Sequence, residues 1–274
     1  MTVNSFIKRA EKYNLPISQV YDLIAFMLNI DYSEAKYVCD KEIDDKVAEN
    51  VLSLLENKEP CAYITGRREF YGREFIVTHN TLIPRVETEI LVEEVIKRYK
   101  NAENIELIDI CSGSGAIGLS LMQELNISFL TLLDIDDNAL KVSKQNAEKF
   151  SITKNIEFVC SDILSYTTNK KYDIVVCNPP YIAENEYGDL QEEVKKEPYH
   201  ALVAEDNGLI FYKKILSNFE ILCKSNGVIF FEIGAYQAHS VIDYAAACNL
   251  YAECIKDYSG NDRVIIVKNS KRGI

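Results

Sequence analysis

Short runs of apolar, β-branched residues alternate with segments of helical spacing from about residue 85 onward, and this alternation constrains the fold more than any other feature. Strands that alternate with helices are typical of a parallel sheet covered by helices on both faces. The sequence therefore predicts an α/β fold with a doubly wound sheet. The predicted strands are Ile105–Ile110, Phe129–Ile135, Ile156–Cys160, Ile174–Cys177, Val228–Ile233, Tyr251–Ile255 and Val264–Val267.

The first sixty residues have a different pattern, which predicts a small helical domain over residues 1–60. Gln19 to Leu28 and Asp44 to Leu55 carry apolar residues at helical spacing. Ser18 and Ser33 are each followed by an acidic residue, and this arrangement predicts that they cap the starts of helices. No group of residues in this segment indicates catalysis. Its predicted role is either a structural cap or the docking of a partner.

A change of composition between Pro60 and Pro84 predicts a connector between two domains. Aromatic and β-branched residues lie on both sides of Tyr71-Gly72-Arg73 and predict a β-hairpin. The segment Thr81–Glu89 then opens a helix. The predicted boundaries are residues 1–60 for the helical domain, 61–84 for the connector and 85–274 for the catalytic domain.

Composition and charge exclude several classes of protein. The net charge of −12 over 274 residues argues against naked nucleic acid as the chief partner, because phosphate contacts need clustered Lys and Arg. No apolar run is long enough to span a membrane, and the amino terminus lacks a signal-peptide core. The eight cysteines occur without C-x-x-C pairs and there are three histidines, so we expect no metal site and a reducing, cytoplasmic location.

The most informative motif follows the predicted strand Ile174–Cys177 and reads Asn178-Pro179-Pro180-Tyr181. Two prolines end strand pairing and give a stiff loop at the carboxyl end of a central strand, where open α/β sheets bind ligands. The Asn178 side-chain carbonyl and the Pro179 backbone carbonyl could accept both N–H bonds of an incoming NH2 group, while Tyr181 stacks on it. The loop therefore suits methylation of a planar amide or amino nitrogen.

A glycine-rich loop follows the first strand of the predicted sheet and indicates a nucleotide site. Gly113-x-Gly115-x-x-Gly118 also fits the dinucleotide fingerprint, so a nicotinamide-dependent oxidoreductase is a rival interpretation. Asp109, immediately before the loop, would repel a pyrophosphate but attract a sulfonium and an amino group. Asp134 and Asp162 end the next two strands, where they could meet ribose hydroxyls and an adenine amino group. Acids at three successive strand ends favour S-adenosylmethionine.

Taken together, the motifs resemble those of the protein-(glutamine-N5) methyltransferases that modify peptide-chain release factors, the PrmC/HemK family. The resemblance runs almost from end to end. Its most specific part is Leu82-Ile83-Pro84-Arg85-Val86-Glu87-Thr88-Glu89, because the Asn-Pro-Pro-Tyr loop is shared with amino-methyltransferases of DNA and RNA. The other matching segments are Asp109 to Gly115, Glu193-Val194 with Glu197-Pro198, Glu205 to Leu209, Phe231 to Gly234 and Gly260 to Arg263.

The resemblance implies a class I Rossmann-like methyltransferase with a seven-stranded mixed sheet, S-adenosylmethionine as cofactor, and the glutamine of the Gly-Gly-Gln loop of class 1 release factors as substrate. By position, Asn178 touches cofactor and substrate, and Pro179, Pro180 and Tyr181 hold the glutamine amide. The helical domain would dock the release factor. The residues implied to line the methionine, ribose and adenine parts of the cofactor are Cys111, Ser112, Gly113, Ser114, Gly115, Asp134, Asp162 and Ile163.

The chain departs from the family pattern at two positions. Cys111 stands where the family commonly has glycine, and Ile163 stands where some members carry an aromatic residue. A nucleic-acid amino-methyltransferase remains an alternative, against which the acidic charge and the lack of a basic recognition domain speak. A nucleotide-binding module without catalysis is another. We expect a monomer that acts on a protein substrate, without direct contact to nucleic acid or membrane.

Overall fold

The computed structural model describes residues 1–270, which divide into two compact units. One unit comprises Met1–Arg67 together with Gln191–Lys196, and the other comprises Arg68–Leu190 together with the chain from Glu197 onward. Residues 271–274 of the predicted catalytic domain lie outside the described residues. Within residues 1–270, no helix combines the length and the apolar character needed to cross a bilayer.

The first unit is helical, as predicted. Its core is formed by apolar side chains from successive helices, with Phe6, Leu23 and Ile24 fully buried and Val51 and Leu55 nearly so. The helices are α1 (Val3–Ala10), α2 (Ile17–Leu28), α3 (Tyr32–Ala35), α4 (Asp45–Glu56) and α5 (Cys61–Thr65), with 3-10 turns at Glu11–Tyr13 and Val194–Lys196.

The predicted caps Ser18 and Ser33 are wrong, because both serines lie inside helices. The carbonyl of Pro16 already accepts hydrogen bonds from the N–H groups of residues 19 and 20, so α2 starts before Ser18. The carbonyl of Asp31 closes the first turn of α3 in the same way. Side-chain caps do occur at Thr2 and Asp44, whose oxygens accept backbone N–H bonds at the starts of α1 and α4.

The predicted hairpin is present as β1 (Arg67–Phe70) and β2 (Arg73–Ile76). Its turn residues Tyr71 and Gly72 have φ of 49° and 68°, as a two-residue hairpin turn requires. The rings of Phe75 and Phe150 meet edge to face, with centroids 4.9 Å apart. The hairpin therefore packs on the core of the second unit.

The large sheet has seven strands in the order β5-β4-β3-β6-β7-β9-β8. Neighbours from β5 to β7 run parallel, whereas β9 is antiparallel to both β7 and β8, so the sheet is mixed, as predicted. Each predicted strand coincides with an observed one. The strands are β3 (Ile105–Ile110), β4 (Ile127–Asp134), β5 (Ile156–Cys160), β6 (Tyr172–Cys177), β7 (Cys223–Glu232), β8 (Leu250–Lys256) and β9 (Asp262–Asn269).

Successive residues of the central strands enter cores on opposite faces of the sheet. Leu107 and Val176 belong to one core, and their neighbours Ile108 and Val175 to the other. Helices cover both faces: α6 (Glu89–Tyr99), α7 (Ala116–Glu124), α8 (Asp137–Lys149), α9 (Tyr199–Leu202), α10 (Glu205–Gly208), α11 (Ile210–Ser217), α12 (Phe219–Leu222) and α13 (Ala238–Ala247), with 3-10 helices at Val86–Thr88 and Glu184–Asp189. The segment labelled α10 is a single turn with left-handed residues inside it rather than a regular helix.

The chain reverses its winding direction between β3 and β6. From β3 it proceeds outward through β4 to β5, and then it returns to place β6 on the other side of β3. The loops that follow these two strands therefore diverge and leave a crevice at the carboxyl edge of the sheet. The glycine-rich loop follows β3 and the Asn-Pro-Pro-Tyr loop follows β6, so the topology brings both predicted motifs to this crevice.

Candidate active site

A cavity of about 470 Å³ occupies this crevice. Its wall includes residues that follow four neighbouring strands, in segments 111–114, 133–135 and 161–164 and at Asn178 and Pro180. Segments 80–82 and 199–201 contribute further lining residues, together with Thr88. Most of the predicted site residues thus meet in one place, although they are spread over seventy positions of sequence.

The loop after β3 turns sharply, through residues with positive φ. Cys111, Gly113 and Gly115 have φ of 59°, 54° and 79°. A Cβ at Gly115 would also lie 2.9 Å from Leu119 Cδ1. Glycine is therefore required there both by the positive φ and by the close packing against Leu119. Cys111 adopts the left-handed conformation without that freedom, at the position where the family commonly has glycine. Gly115 shapes the loop from behind and does not line the cavity.

Asp134 lies in the cavity wall at the end of β4 and is held by the loop itself. Its Oδ2 accepts the Gly113 N–H at 2.8 Å and its Oδ1 accepts the Asp136 N–H at 3.0 Å. Burial raises the pKa of the Asp134 carboxyl, and these two N–H groups oppose the shift. The carboxylate is therefore preorganised at the point where a ribose is predicted to bind.

Asp109 lies beneath the loop rather than in the cavity wall. Its side chain is completely buried; Oδ2 accepts the Gly118 N–H at 2.9 Å, and Oδ1 has no hydrogen-bond partner. Burial raises the pKa of Asp109 to about 7 against the opposing bond from Gly118. This carboxyl is therefore not in direct contact with the cavity. The influence that the sequence predicts for Asp109 on a ligand would be that of a nearby buried charge.

The turn after β5 brings Asp162 and Ile163 into the cavity wall. One oxygen of Asp162 accepts the Leu164 N–H at 2.8 Å, which fixes the carboxylate at the start of the turn. Ile163 is almost fully buried and presents an apolar surface. The turn therefore offers one carboxylate and one apolar side chain, a combination that suits the amino group and the face of an adenine ring.

The Asn-Pro-Pro-Tyr loop leaves a buried acceptor without a partner. Asn178 Oδ1 is inaccessible to solvent and has no hydrogen bond, whereas Asn178 Nδ2 donates to Thr88 Oγ1 at 3.5 Å. Asn178 and Pro180 are among the residues that line the cavity, whereas Pro179 and Tyr181 are not. Burial raises the pKa of the Tyr181 phenol far above its ordinary value. The phenol consequently stays neutral at physiological pH.

Residues outside the predicted site hold this loop in place. The Gln237 amide donates to the Tyr181 carbonyl oxygen at 2.9 Å, and its own oxygen accepts the Gly234 N–H at 3.0 Å. Gly208, in a turn with φ of 79°, lies so close that a Cβ would be 2.0 Å from that carbonyl oxygen. Gly208 and Gly234 belong to segments that match the family, which is the signal by which they could have been found.

Two further anchors fix the other walls of the site. The buried carboxylate of Glu197 accepts the Ile83 N–H at 3.0 Å and pairs with the Arg85 guanidinium. The side-chain amide of Asn146 donates to the carbonyls of Ile76 and Ser114, at 3.0 and 2.9 Å. The first anchor holds the segment that carries Thr88, and the second ties the hairpin to the glycine-rich loop.

Comparisons with known proteins place the chain in a family of enzymes. The Methyltransferase small domain family matches residues 86–224. A release factor glutamine methyltransferase of Thermodesulfovibrio yellowstonii is 36% identical over 267 residues, covering 95% of each chain. The protein of the same name from Fusobacterium nucleatum subsp. nucleatum is 37% identical over 262 residues, covering 93% of this chain and 74% of that one.

A solved structure supports the fold independently. A methyltransferase from Pyrococcus furiosus superposes with a TM-score of 0.55 and 16% identity, covering 83% of this chain and all of that one. At this identity the likeness concerns the fold alone, which is the Rossmann-like methyltransferase fold predicted from the sequence. Sequence identity above a third over nearly the full length is the stronger finding, and by it the chain belongs to the release factor glutamine methyltransferase family.

Proposed function

We propose that this protein transfers a methyl group from S-adenosylmethionine to the side-chain amide nitrogen of the glutamine in the Gly-Gly-Gln motif of class 1 release factors. The observation that carries the proposal is the unpartnered, buried Asn178 Oδ1 in the cavity wall. A buried acceptor without a partner costs free energy in the ligand-free protein and is satisfied when a substrate N–H arrives. Full-length relatives that carry this activity in their names support the choice of substrate.

The charge of the cavity fits the cofactor. Among the described residues that line it there are four carboxylates, one histidine and neither a lysine nor an arginine, so a dinucleotide's phosphates would find no permanently charged basic side chain to pair with. Asp134 would hold the ribose hydroxyls, and the turn at Asp162 and Ile163 would hold the adenine. When bound, S-adenosylmethionine supplies an activated methyl group on a positively charged sulfur. This fit, together with family membership, argues against the nicotinamide-dependent oxidoreductase.

Catalysis by the chain's own residues consists of orientation and charge stabilisation. The Asn178 side-chain carbonyl would accept one N–H bond of the glutamine amide, and the backbone carbonyl of Pro179, the next residue of the same loop, would accept the other when the substrate binds. The two bonds would direct the lone pair of the amide nitrogen toward the methyl group. As the nitrogen–carbon bond forms and the carbon–sulfur bond breaks, the nitrogen becomes positive, and both oxygens stabilise that charge. The nitrogen then loses one proton to water. No covalent bond between enzyme and substrate is needed.

We further propose how the parts of the chain divide the work and in which compartment the enzyme acts. Residues 1–60 dock the release factor, residues 61–84 connect, and residues 85–274 carry out the transfer. The enzyme acts as a monomer in the cytoplasm, on protein rather than nucleic acid. The net charge of −12 supports a protein substrate, because nucleic-acid backbones would be repelled. All eight cysteines are free thiols, which suits a reducing compartment.

Replacement of Asn178 by Ala tests the proposed role of its carbonyl. We expect turnover on a release factor to fall by roughly 100- to 1000-fold, the usual cost of losing one charge-stabilising contact. The affinity for S-adenosylmethionine, measured by calorimetry, should stay within a few-fold of wild type. Asn185→Ala, an exposed change in the 3-10 helix Glu184–Asp189, serves as the control and should not alter turnover. Normal turnover by the Asn178 variant would refute the mechanism.

A further inference from the structure

Thr88 connects two buried polar groups near the substrate side of the cavity. It ends the 3-10 helix Val86–Thr88, is 4% exposed and lines the cavity. Its hydroxyl oxygen accepts from Asn178 Nδ2 at 3.5 Å. The same hydroxyl lies close enough to the Glu232 carboxyl, at the end of β7, to lower the pKa of that carboxyl as a hydrogen-bond donor does. Asn178 Oδ1 and Glu232 Oε2 are both buried without a partner. The three side chains thus form one connected set.

The direction of these hydrogen bonds follows from how many protons each group has. A threonine hydroxyl has a single proton, and a carboxylate can only accept. If Thr88 donates its proton to Glu232, its oxygen is left to accept, and only the NH2 end of the Asn178 amide can donate to it. The amide is then held with Oδ1 away from Thr88. The carboxylate therefore determines which end of the Asn178 amide is available to a substrate.

Without this constraint the Asn178 amide would have two nearly isosteric orientations. In one the side chain offers a carbonyl oxygen to the substrate, and in the other it offers an NH2 group that would repel the glutamine NH2. We propose, on the basis of the proposed function, that Glu232 and Thr88 are positioning residues that keep the Asn178 carbonyl directed at the substrate amide. Neither residue needs to touch the reacting atoms.

The charged and titratable surroundings of Glu232 permit the carboxylate form. Two arginines from different elements act electrostatically on this carboxyl, and an acid and two phenols interact with it as well. These groups are Arg263 on β9, Arg85 and Glu87 before α6, Tyr181 in the loop after β6, and Tyr212 on α11. Burial raises the pKa of Glu232 to about 7, while Thr88 and the two arginines oppose the shift. Above that pH, Glu232 accepts from Thr88; below it, Glu232 carries its own proton and Thr88 is free to turn.

Isosteric changes at Thr88 separate a positioning role from a packing role. Thr88→Val keeps the volume and removes the hydroxyl, and we expect kcat to fall at least tenfold with little change in KM for the release factor. Thr88→Ser restores the hydroxyl and should recover most of the rate. Thr131→Val is the matched control, since Thr131 is also buried and also bridges a carboxylate and another side chain, those of Glu157 and Tyr172, away from the cavity. Equal kcat in Thr88→Val and Thr131→Val would overturn the proposal.

The pH profile tests the part played by Glu232. Wild-type kcat should decline as the pH falls below about 7, because protonated Glu232 no longer requires Thr88 to donate. Glu232→Gln cannot change its protonation over this range, so its kcat should be lower at pH 8 and should lack that decline. A wild-type decline that persists unchanged in Glu232→Gln would remove Glu232 from the arrangement.

A measurement without turnover distinguishes this inference from the proposed function. The side-chain NH2 protons of Asn178, identified in nitrogen-15 NMR spectra by their loss in Asn178→Asp, should exchange slowly with water in wild type and Thr88→Ser but faster in Thr88→Val. If wild type leaves release factors unmethylated while these protons are protected, the proposed function fails and the arrangement stands. If wild type methylates them and Thr88→Val neither slows kcat nor loses protection, the function stands and the inference fails.

Discussion

At the scale of single residues, the site residues that could be predicted from the sequence are those that lie at the ends of strands. Asp134, Asp162 and Asn178 lie at or just after the carboxyl ends of the parallel strands β4, β5 and β6, and parallel strands bring their carboxyl ends to one edge of the sheet. Thr88 and Glu232 were not predicted because Thr88 lies ninety positions from Asn178 and meets it only through tertiary folding. Sequence spacing carries no information about a contact of that kind.

The buried carboxyl of Asp109 is expected to make the stability of the protein depend on pH. Its pKa rises from 3.8 to about 7 on folding, so the stability that the protonated carboxyl contributes is present below pH 4 and is lost as the pH rises through 7. Asp109→Asn keeps an acceptor for the Gly118 N–H but never ionises. The free energy of unfolding of the variant, minus that of wild type, should therefore be about 4 kcal/mol larger at pH 8 than at pH 4.

Urea unfolding at a series of pH values measures this difference. Asp189→Asn, which alters an exposed carboxyl, is the control and should show no comparable gain. A difference between Asp109→Asn and wild type that stays constant from pH 4 to pH 8 would show that Asp109 does not ionise inside the fold. The expected gain also implies that the wild-type protein keeps a destabilising acid next to the glycine-rich loop.

At the scale of elements, the apolar runs predicted the strands of the large sheet, and the central strands β3 and β6 are buried on both faces along most of their length. The edge strands β5 and β8 are only partly buried, yet their apolar runs were long enough to be recognised. The helix starts were less predictable: Ser18 and Ser33 have suitable side chains, yet the backbone carbonyls of Pro16 and Asp31 begin the helices earlier. The turn at Glu205–Gly208 shows the same limit. Asp206 and Asn207 have φ of 56° and 54°, and nothing in their local sequence requires three consecutive left-handed residues.

Gly208 is expected to be the least replaceable residue of that turn. In Gly208→Ala the new Cβ would lie 2.0 Å from the Tyr181 carbonyl oxygen, closer than any van der Waals contact, and at a φ of 79°. Either the turn or the Asn-Pro-Pro-Tyr loop must move. We expect a loss of roughly 2–4 kcal/mol of stability, by analogy with overpacked cores combined with backbone strain, and a fall in kcat.

Gly188→Ala is the matched control for this substitution, because Gly188 has an ordinary φ and a Cβ there would meet no atom within 4 Å. Thermal unfolding and turnover on a release factor would be measured for both variants. Similar melting temperatures and rates for the two would show that the turn can relax without disturbing the loop.

At the scale of the whole molecule, two units with separate cores are joined in one chain, and the groups proposed to act in catalysis lie in the second. The division into a helical segment and an α/β segment was predictable from the change in hydrophobic period. The order of the strands and the antiparallel edge were not, because pairing between distant strands leaves no local pattern. Only the resemblance to a known family implied a mixed sheet.

The most direct test of the central claim is mass spectrometry of a purified class 1 release factor after incubation with this protein and S-adenosylmethionine. We predict a gain of one methyl group, located by fragmentation on the glutamine of the Gly-Gly-Gln motif and absent with the Asn178→Ala variant. An unmodified glutamine, in a reaction where calorimetry shows that S-adenosylmethionine is bound, would contradict the account and direct the search to another substrate.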